Sequence, residues 1–337
     1  MSDMKQIPLG STGVLVSAIG LGCYGMSHVY GHRDESESIA AIRAAVDLGI
    51  DLIDTADFYG KGHNETLVRT ALRGLRDRVT LCSKFGYTAD AQGRPVIRGD
   101  APYVQQACEA SLRRLGVETI DLYYMHRPDP GVPVEETVGA MADLVQAGKV
   151  RFLGLSEVAT STLRRAAAVH PIAAVQSEYS LWSREPEEKM IGACQELGAT
   201  FVGYAVLGRG FLTGKVRSLD DLPADDGRRK SPRFYPENFH RNIELVQVLE
   251  RMSARLGCTP AQLALAWAMS RPCTLPLFGA ERREFLTENA GAVDVRLSAQ
   301  DLAEIDAAMP PGAAAGPRYD AGMMSRVEQD SPDQEAP

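Results

Sequence analysis

Asp121-Leu122-Tyr123-Tyr124-Met125-His126-Arg127-Pro128 is a short, mostly apolar run that closes on a histidine, an arginine and a proline. Its length suits a strand, and its unbroken apolar character suits a strand buried on both faces, as in a parallel sheet. The flanking segments Pro102–Leu115 and Val134–Ala147 carry apolar residues at helical spacing. The same alternation continues in both directions. Strands are expected at Ala18–Leu21, Asp51–Asp54, Val79–Lys84, Ile120–Met125, Val150–Leu155, Ala174–Gln176, Thr200–Tyr204 and Thr274–Leu277. Further helices are expected at Ser36–Leu48, Glu65–Leu75, Ser161–Val169, Pro186–Leu197, Glu237–Leu256 and Pro260–Ser270. Several helices run into a glycine (Gly49, Gly116, Gly148, Gly198), a residue that tolerates the left-handed backbone of a helix stop. Strand–helix units repeated without a break in composition predict an α/β fold, a single closed (β/α)8 TIM barrel, over residues 1–324. An open doubly wound sheet is the runner-up, weakened because no G-x-G-x-x-G follows the first strand.

Three segments depart from this rhythm. Gln6–Leu9 and Val14–Val16 flank the turn Gly10-Ser11-Thr12-Gly13 and predict an N-terminal β-hairpin. Ala205–Pro236, after the seventh strand, is long and rich in Gly, Asp, Pro and Arg, the profile of a lid or a disordered loop. Residues 325–337 are polar and acidic and read as a disordered tail.

The net charge of −8 argues against a general nucleic-acid binder. No apolar run reaches the roughly 20 residues of a membrane span, and Met1–Lys5 lacks the pattern of a secretory signal. Cys23, Cys82, Cys108, Cys194, Cys258 and Cys273 are scattered, with no C-x-x-C pair. They read as reduced thiols of a cytoplasmic protein, with neither a disulfide framework nor a metal site. The charge balance says nothing of oligomeric state.

Polar residues fall where strands end. Asp54 closes the second strand, with Tyr59 following in Asp54-Thr55-Ala56-Asp57-Phe58-Tyr59-Gly60. Lys84 closes the third and His126 the fourth. Taken singly, each is an ordinary rim charge, packed imidazole or covering ring. In a barrel, however, the carboxyl ends of all strands face one mouth, so the four can converge. Their chemistry is complementary. Tyr59 can protonate an alkoxide, and Lys84, held by Asp54, is expected to lower the phenol pKa from its reference of about 10. His126 can position a carbonyl by a hydrogen bond.

The motifs D-T-A-x-x-Y-G, S-K-F-G, D-L-Y-Y-M-H-R, G-K-V-R-x-L-G-L-S-E, Q-S-E-Y-S-L-W and L-G-R-G-F-L-T-G-K follow in order through the chain. Together they resemble the aldo-keto reductase superfamily from about Ile7 to Tyr319, closest to its bacterial and plant branch of short-loop reductases. The resemblance implies an oxidoreductase that moves a hydride from NADPH to an aldehyde or ketone, with Asp54, Tyr59, Lys84 and His126 as its catalytic tetrad. It implies NADP(H) as cofactor, with NAD(H) the alternative, and no metal.

By the same resemblance Ser156 and Gln176 match the residues that bond the nicotinamide carboxamide, and Glu157 stands where relatives often have Asn. Tyr204 matches the ring that stacks on the nicotinamide, and Gly22, Cys23 and Tyr24 border it. Leu207, Gly208, Arg209 and Gly210 match the pyrophosphate loop, where glycine lets backbone N–H groups approach phosphate. Gly279, Arg282, Arg283, Glu288 and Asn289 fall in the segment that meets the adenosine end. Tyr24, Tyr30 and Trp182 are expected to line the substrate pocket.

Two departures from relatives bear on the cofactor. Tyr204-Ala205-Val206-Leu207-Gly208 replaces Tyr-Ser-Pro-Leu-Gly, so the loop loses a hydroxyl and a rigid proline. Ala280 and Phe285 stand where relatives place a hydroxyl and a basic residue, and Glu281 adds an acid. The 2′-phosphate site is weakened, with Arg282 and Arg283 as substitutes. Two other functions compete. One is a lyase using Lys84 as a Schiff base, disfavoured by the adjacent Asp54. The other is a cofactor-sensing, partner-binding protein resembling potassium-channel β subunits.

Overall fold

The computed structural model describes residues 4–27, 34–90, 92–280 and 282–330. The chain begins with an antiparallel hairpin, β1 (Gln6–Pro8) and β2 (Leu15–Ser17), with Ile7 opposite Val16. Then come β3 (Gly20–Gly22), α1 (Glu35–Asp47), β4 (Leu52–Asp54), α2 (His63–Ala71) and β5 (Thr80–Phe85). A small antiparallel pair, β6 (Tyr87–Ala89) and β7 (Pro95–Ile97), leads into α3 (Ala101–Leu115). The alternation resumes with β8 (Ile120–Met125), α4 (Val134–Gln146), β9 (Val150–Ser156), α5 (Thr160–Val169), β10 (Ile172–Glu178), α6 (Met190–Leu197) and β11 (Thr200–Tyr204). After a long connection come α7 (Pro236–Arg255), α8 (Pro260–Met269), β12 (Thr274–Phe278), α9 (Arg283–Ala290), α10 (Ala299–Ala308) and α11 (Ala321–Met324). Eight strands close into a parallel barrel in the order β3-β4-β5-β8-β9-β10-β11-β12. This is the (β/α)8 barrel expected from the alternation, with its hairpin.

Local chemistry sets the helix limits. Asp100 caps α3 by accepting from Tyr103 N, and Gly116 ends it at φ 67°. Thr259 and Gln262 form a reciprocal capping box at the start of α8, with Pro260 in the first turn.

Two apolar layers hold the barrel. The larger lies between strands and helices. The smaller fills the barrel interior with Leu52, Cys82, Leu122, Tyr124, Val202 and Leu275, and includes Leu9 and Val16 from the hairpin. The hairpin belongs to the amino-terminal end of the strands. Gly10 N donates to Thr200 Oγ1 at 2.7 Å, and Ser17 N to Asp51 Oδ1 at 2.7 Å. That end is sealed, which leaves the carboxyl ends for chemistry.

Two expectations are corrected. The connection after β11 is not a loose loop. It forms short 3-10 turns at Gly208–Thr213, Leu219–Asp221, Gly227–Lys230 and Pro232–Phe234. Phe211 packs edge-on against Phe234 and Phe239, a local core that a count of polar residues overlooks. The segment from 325 to 330 is also held. Ala159 N donates to Glu328 Oε2 at 2.9 Å and Thr160 N to Asp330 Oδ1 at 2.8 Å, so these acids satisfy orphan donors at the start of α5. Residues 331–337 lie outside the described part of the chain.

Candidate active site

The end of β5 carries Lys84, fully buried, and the end of β4 carries Asp54, 1% exposed. Their side chains form a buried ion pair. Lys84 Nζ also donates to Thr55 O at 2.9 Å and to Tyr59 OH at 3.2 Å. The other Asp54 oxygen accepts from Gln176 Nε2 at 3.0 Å, so β10 braces β4 across the barrel. The ring of Tyr59 lies 5.9 Å from that of His126, edge to face. The four residues expected to converge therefore do so. All three Lys84 donors are engaged, which removes the free amine a Schiff base would need.

Tyr59 is placed by its loop. Gly60, Lys61 and Gly62 follow it with φ of 57°, 55° and 91°, a left-handed run in which Lys61 is the strained member. Asn64 ties the loop down. Its Oδ1 accepts from Thr55 Oγ1 at 2.6 Å, and its Nδ2 donates to Cys23 O and Ser27 Oγ, both at 2.8 Å. Glu65, fully buried, accepts from Ser83 Oγ at 2.6 Å and Arg114 Nε at 2.5 Å, locking the residue before Lys84.

The electrostatics differ from the expectation for Tyr59. Burial, followed by the Asp54 carboxylate and Tyr24, holds its phenol well above the usual tyrosine range. Lys84 donates to Tyr59 OH but shares its charge with Asp54, and burial outweighs its pull. His126 goes the other way. Burial, then Arg127 and Lys84, keep its imidazole well below the usual range and therefore neutral. Its Nδ1 is buried without a hydrogen-bond partner among the described residues.

Around this centre the predicted cofactor residues divide into two groups. Gly22, Cys23 and Tyr24 lie at the end of β3, where Gly22 pairs with Asp54. Tyr24 packs edge-on to Tyr59 at 4.8 Å. Leu207, Gly208, Arg209 and Gly210 follow β11, with φ of 58°, 58° and 90° at the last three. A Cβ on Gly208 would lie 2.6 Å from the Trp182 ring, so only glycine fits there. Gly279 follows β12. Arg282 and Arg283 are exposed at the start of α9, with Asn289 buried at its far end.

The second group is engaged elsewhere. Glu157, with φ 55°, is 3% exposed and accepts from Arg318 Nη2 at 2.6 Å, Tyr204 OH at 2.7 Å and Glu178 N at 2.9 Å. Burial alone would raise its pKa, but Arg318 and Arg127 reverse that and hold it below the usual range. Its carboxylate is a structural knot, not a free amide-binding group. Gln176 likewise has a donor committed to Asp54. Trp182, expected in the substrate pocket, is instead 4% exposed, packed on Phe211 at 5.1 Å beneath the glycine loop. Its bulk supports the loop because Gly208 leaves it room. Tyr30 and Glu281 lie outside the described residues.

Several members of the site were not anticipated. Lys215 lies 3.9 Å from the centre of the Phe285 ring and is paired with Glu288 at 2.7 Å, so a cation stands beside Phe285. The mouth also gathers Arg233 and Arg318, with the expected Arg209, around two buried acids, Glu157 and Glu178. Three guanidiniums against these two carboxylates leave a positive surplus. That surplus and the glycine loop fit an extended anion such as a dinucleotide diphosphate. Tyr319, whose OH lies 2.8 Å from Tyr204 OH, closes the cluster. These contacts join residues from 31 to 161 positions apart, beyond the reach of local pattern reading.

Comparison with known proteins agrees with this geometry. The aldo/keto reductase family model matches residues 18–310. A glycerol dehydrogenase from Gluconobacter oxydans is similar over 92% of this chain and 97% of its own, at 27% identity and a TM-score of 0.82. An aldo-keto reductase from Bacillus halodurans, in its holo form, covers 94% of this chain and 99% of its own at 27% identity and a TM-score of 0.75. An aldo/keto reductase from Klebsiella pneumoniae, in complex with NADP and acetate, covers 95% and 99% at 30% identity and a TM-score of 0.71. The barrel, the residues brought together at its mouth and the matched span agree: this chain belongs to the aldo/keto reductase family.

Proposed function

We propose that this chain reduces an aldehyde or ketone to the alcohol with a nicotinamide cofactor, and that Tyr59 gives the proton. The observation carrying this reading is Lys84 Nζ, which donates at once to Asp54, Thr55 O and Tyr59 OH inside a closed barrel. The hydride comes from the reduced nicotinamide when it is bound. Everything else falls to the side chains. Neutral His126 holds the carbonyl oxygen by a hydrogen bond, and Tyr59 OH delivers its proton there. Lys84 then stabilises the phenolate left behind, while Asp54 holds the ammonium in place. A phenol held above its usual pKa stays protonated at neutral pH, as a proton donor must.

Ser156, Tyr204, Cys23 and Gly22 are assigned to the nicotinamide end and Leu207–Gly210 to the diphosphate. Gly279, Arg282, Arg283, Glu288 and Asn289 are assigned to the adenosine end. NADPH is the expected cofactor and NADH the alternative. The relative from Klebsiella pneumoniae, solved with NADP, supports that order, as do Lys215, Arg282 and Arg283 grouped about Phe285. The test is Tyr59→Phe, which is expected to lower carbonyl reduction by at least about 100-fold, the scale of general acid catalysis. The dissociation constant of NADPH should stay within about threefold. Turnover at the wild-type rate would remove Tyr59 from the reaction.

A further inference from the structure

Arg127 follows His126 directly and is 4% exposed. Its Nη1 donates to His126 O at 2.6 Å and to Ser156 Oγ at 3.2 Å. Its Nε is buried with no hydrogen-bond partner among the described residues. The guanidinium faces the Tyr87 ring at 5.7 Å, and that ring packs edge-on to His126 at 4.9 Å. The same aromatic wall continues to Phe58, 4.8 Å from Tyr87.

What sets Arg127 apart is that no carboxylate among the described residues touches it: Glu157 acts on it only through space. Arg318 pairs with Glu157, and Arg209 and Arg233 pair with Glu178. Among the described residues no carboxylate lies within 4.0 Å of Arg127. A buried guanidinium with no carboxylate in contact and a free Nε–H can take a ligand's anionic group directly. Two ligands could supply it. The expected diphosphate loop follows β11, whereas Arg127 follows β8, with β9 and β10 between them in the barrel. Arg127 adjoins the proposed acid and carbonyl-positioning residues. It is among the groups that oppose the upward push on the Tyr59 phenol, and it helps keep His126 neutral. Its anion therefore belongs to the substrate side of the mouth.

We propose that Arg127 is a specificity-determining residue that selects carbonyl substrates bearing a carboxylate, bound through its guanidinium against the Tyr87 wall. This rests on the reductase reading above and names its substrate class. Guanidinium and carboxylate match in charge and in planar geometry, which a neutral ester of the same size cannot reproduce.

The experiment pairs 2-, 3- and 4-formylbenzoate with their methyl esters and scans the distance between aldehyde and charge. kcat/KM is measured with NADPH for wild type, Arg127→Met and Arg127→Lys. For at least one isomer the wild type should favour the acid over its ester. Arg127→Met should lower that acid-to-ester ratio by about 10- to 100-fold, the scale of a charge-assisted contact, with Arg127→Lys intermediate. Both substrates are compared on one protein preparation, so partial unfolding cancels from the ratio. Ratios unchanged in Arg127→Met, or a wild type favouring every ester, overturn the proposal. Calorimetric binding of phthalate, isophthalate and terephthalate to the same proteins separates the two readings. If no aldehyde is reduced by the wild type, the reductase reading fails. Loss of dicarboxylate binding in Arg127→Met would still uphold the anion site. Equal binding to both proteins, or none to the wild type, would reject it.

Discussion

Asp57 sits between the ion pair and the tyrosine, its N–H donating to Lys84 O at 3.1 Å. Its Oδ1 is buried without a hydrogen-bond partner among the described residues. Burial, then the nearby Glu65 carboxylate, push its carboxyl up to about 8, against the pull of Arg114. An unfolded aspartate titrates near about 4. Between those values the folded chain keeps a proton that the unfolded chain has lost. Stability contributed by this group is therefore full below about pH 4, falls as pH rises, and is gone above the folded value of about 8. Asp57→Asn cannot ionise, so its stability relative to wild type should improve from pH 5 to about pH 8 and then level off. Urea denaturation at pH 5, 7 and 9 measures this, and a pH-independent difference would show that Asp57 does not titrate on folding. At this scale the tetrad was legible because its members stand at or just after strand ends. Asn64, Arg127 and Lys215 were not, since each is defined by a partner from another element.

Strand and helix limits were read to within one or two residues for most of the barrel, because buried parallel strands and amphipathic helices have distinct periods. The β6–β7 pair was missed. Packing between strands adds a constraint no periodicity carries. Gly154 in β9 has an ordinary backbone, but a Cβ there would lie 2.4 Å from the Tyr124 ring. Tyr124 is fully buried beneath Lys84, whose Nζ stands 5.9 Å from its ring centre. Gly154→Ala is therefore expected to cost about 1–3 kcal/mol through overpacking and to lower carbonyl reduction by displacing the floor of the tetrad. Chemical denaturation and kcat/KM measured together check this. Wild-type stability in the variant would mean that the ring moves aside freely.

Over the whole molecule, the C-terminal segment completes the mouth. Arg318 is paired with Glu157, Tyr319 meets Tyr204, and Glu328 N donates to Glu157 O at 3.2 Å. Removing one side of a buried pair leaves the other uncompensated, which costs about 3–5 kcal/mol. Arg318→Met should lose stability on that scale. Glu157→Gln combined with Arg318→Met should lose clearly less than the sum of the two single changes, because the pair couples them. Additive losses in the double-mutant cycle would show that Glu157 draws its support from Tyr204, Glu178 N and Arg127 instead.

The order of strands and helices, the N-terminal hairpin and the placing of Asp54, Tyr59, Lys84 and His126 at one end of the barrel came from the sequence by itself. These follow from periodicity and from the rule that parallel strand ends share a face. Only the tertiary structure decided the rest. It showed Glu157 as a paired acid, moved Trp182 from the pocket to the support of Gly208, and made burial, then Asp54, the main influences on the phenol. It also left Arg127 buried with no carboxylate in contact among the described residues. The physical reason is that charge and burial are properties of neighbours. In a closed barrel those neighbours arrive from strands far apart in the chain.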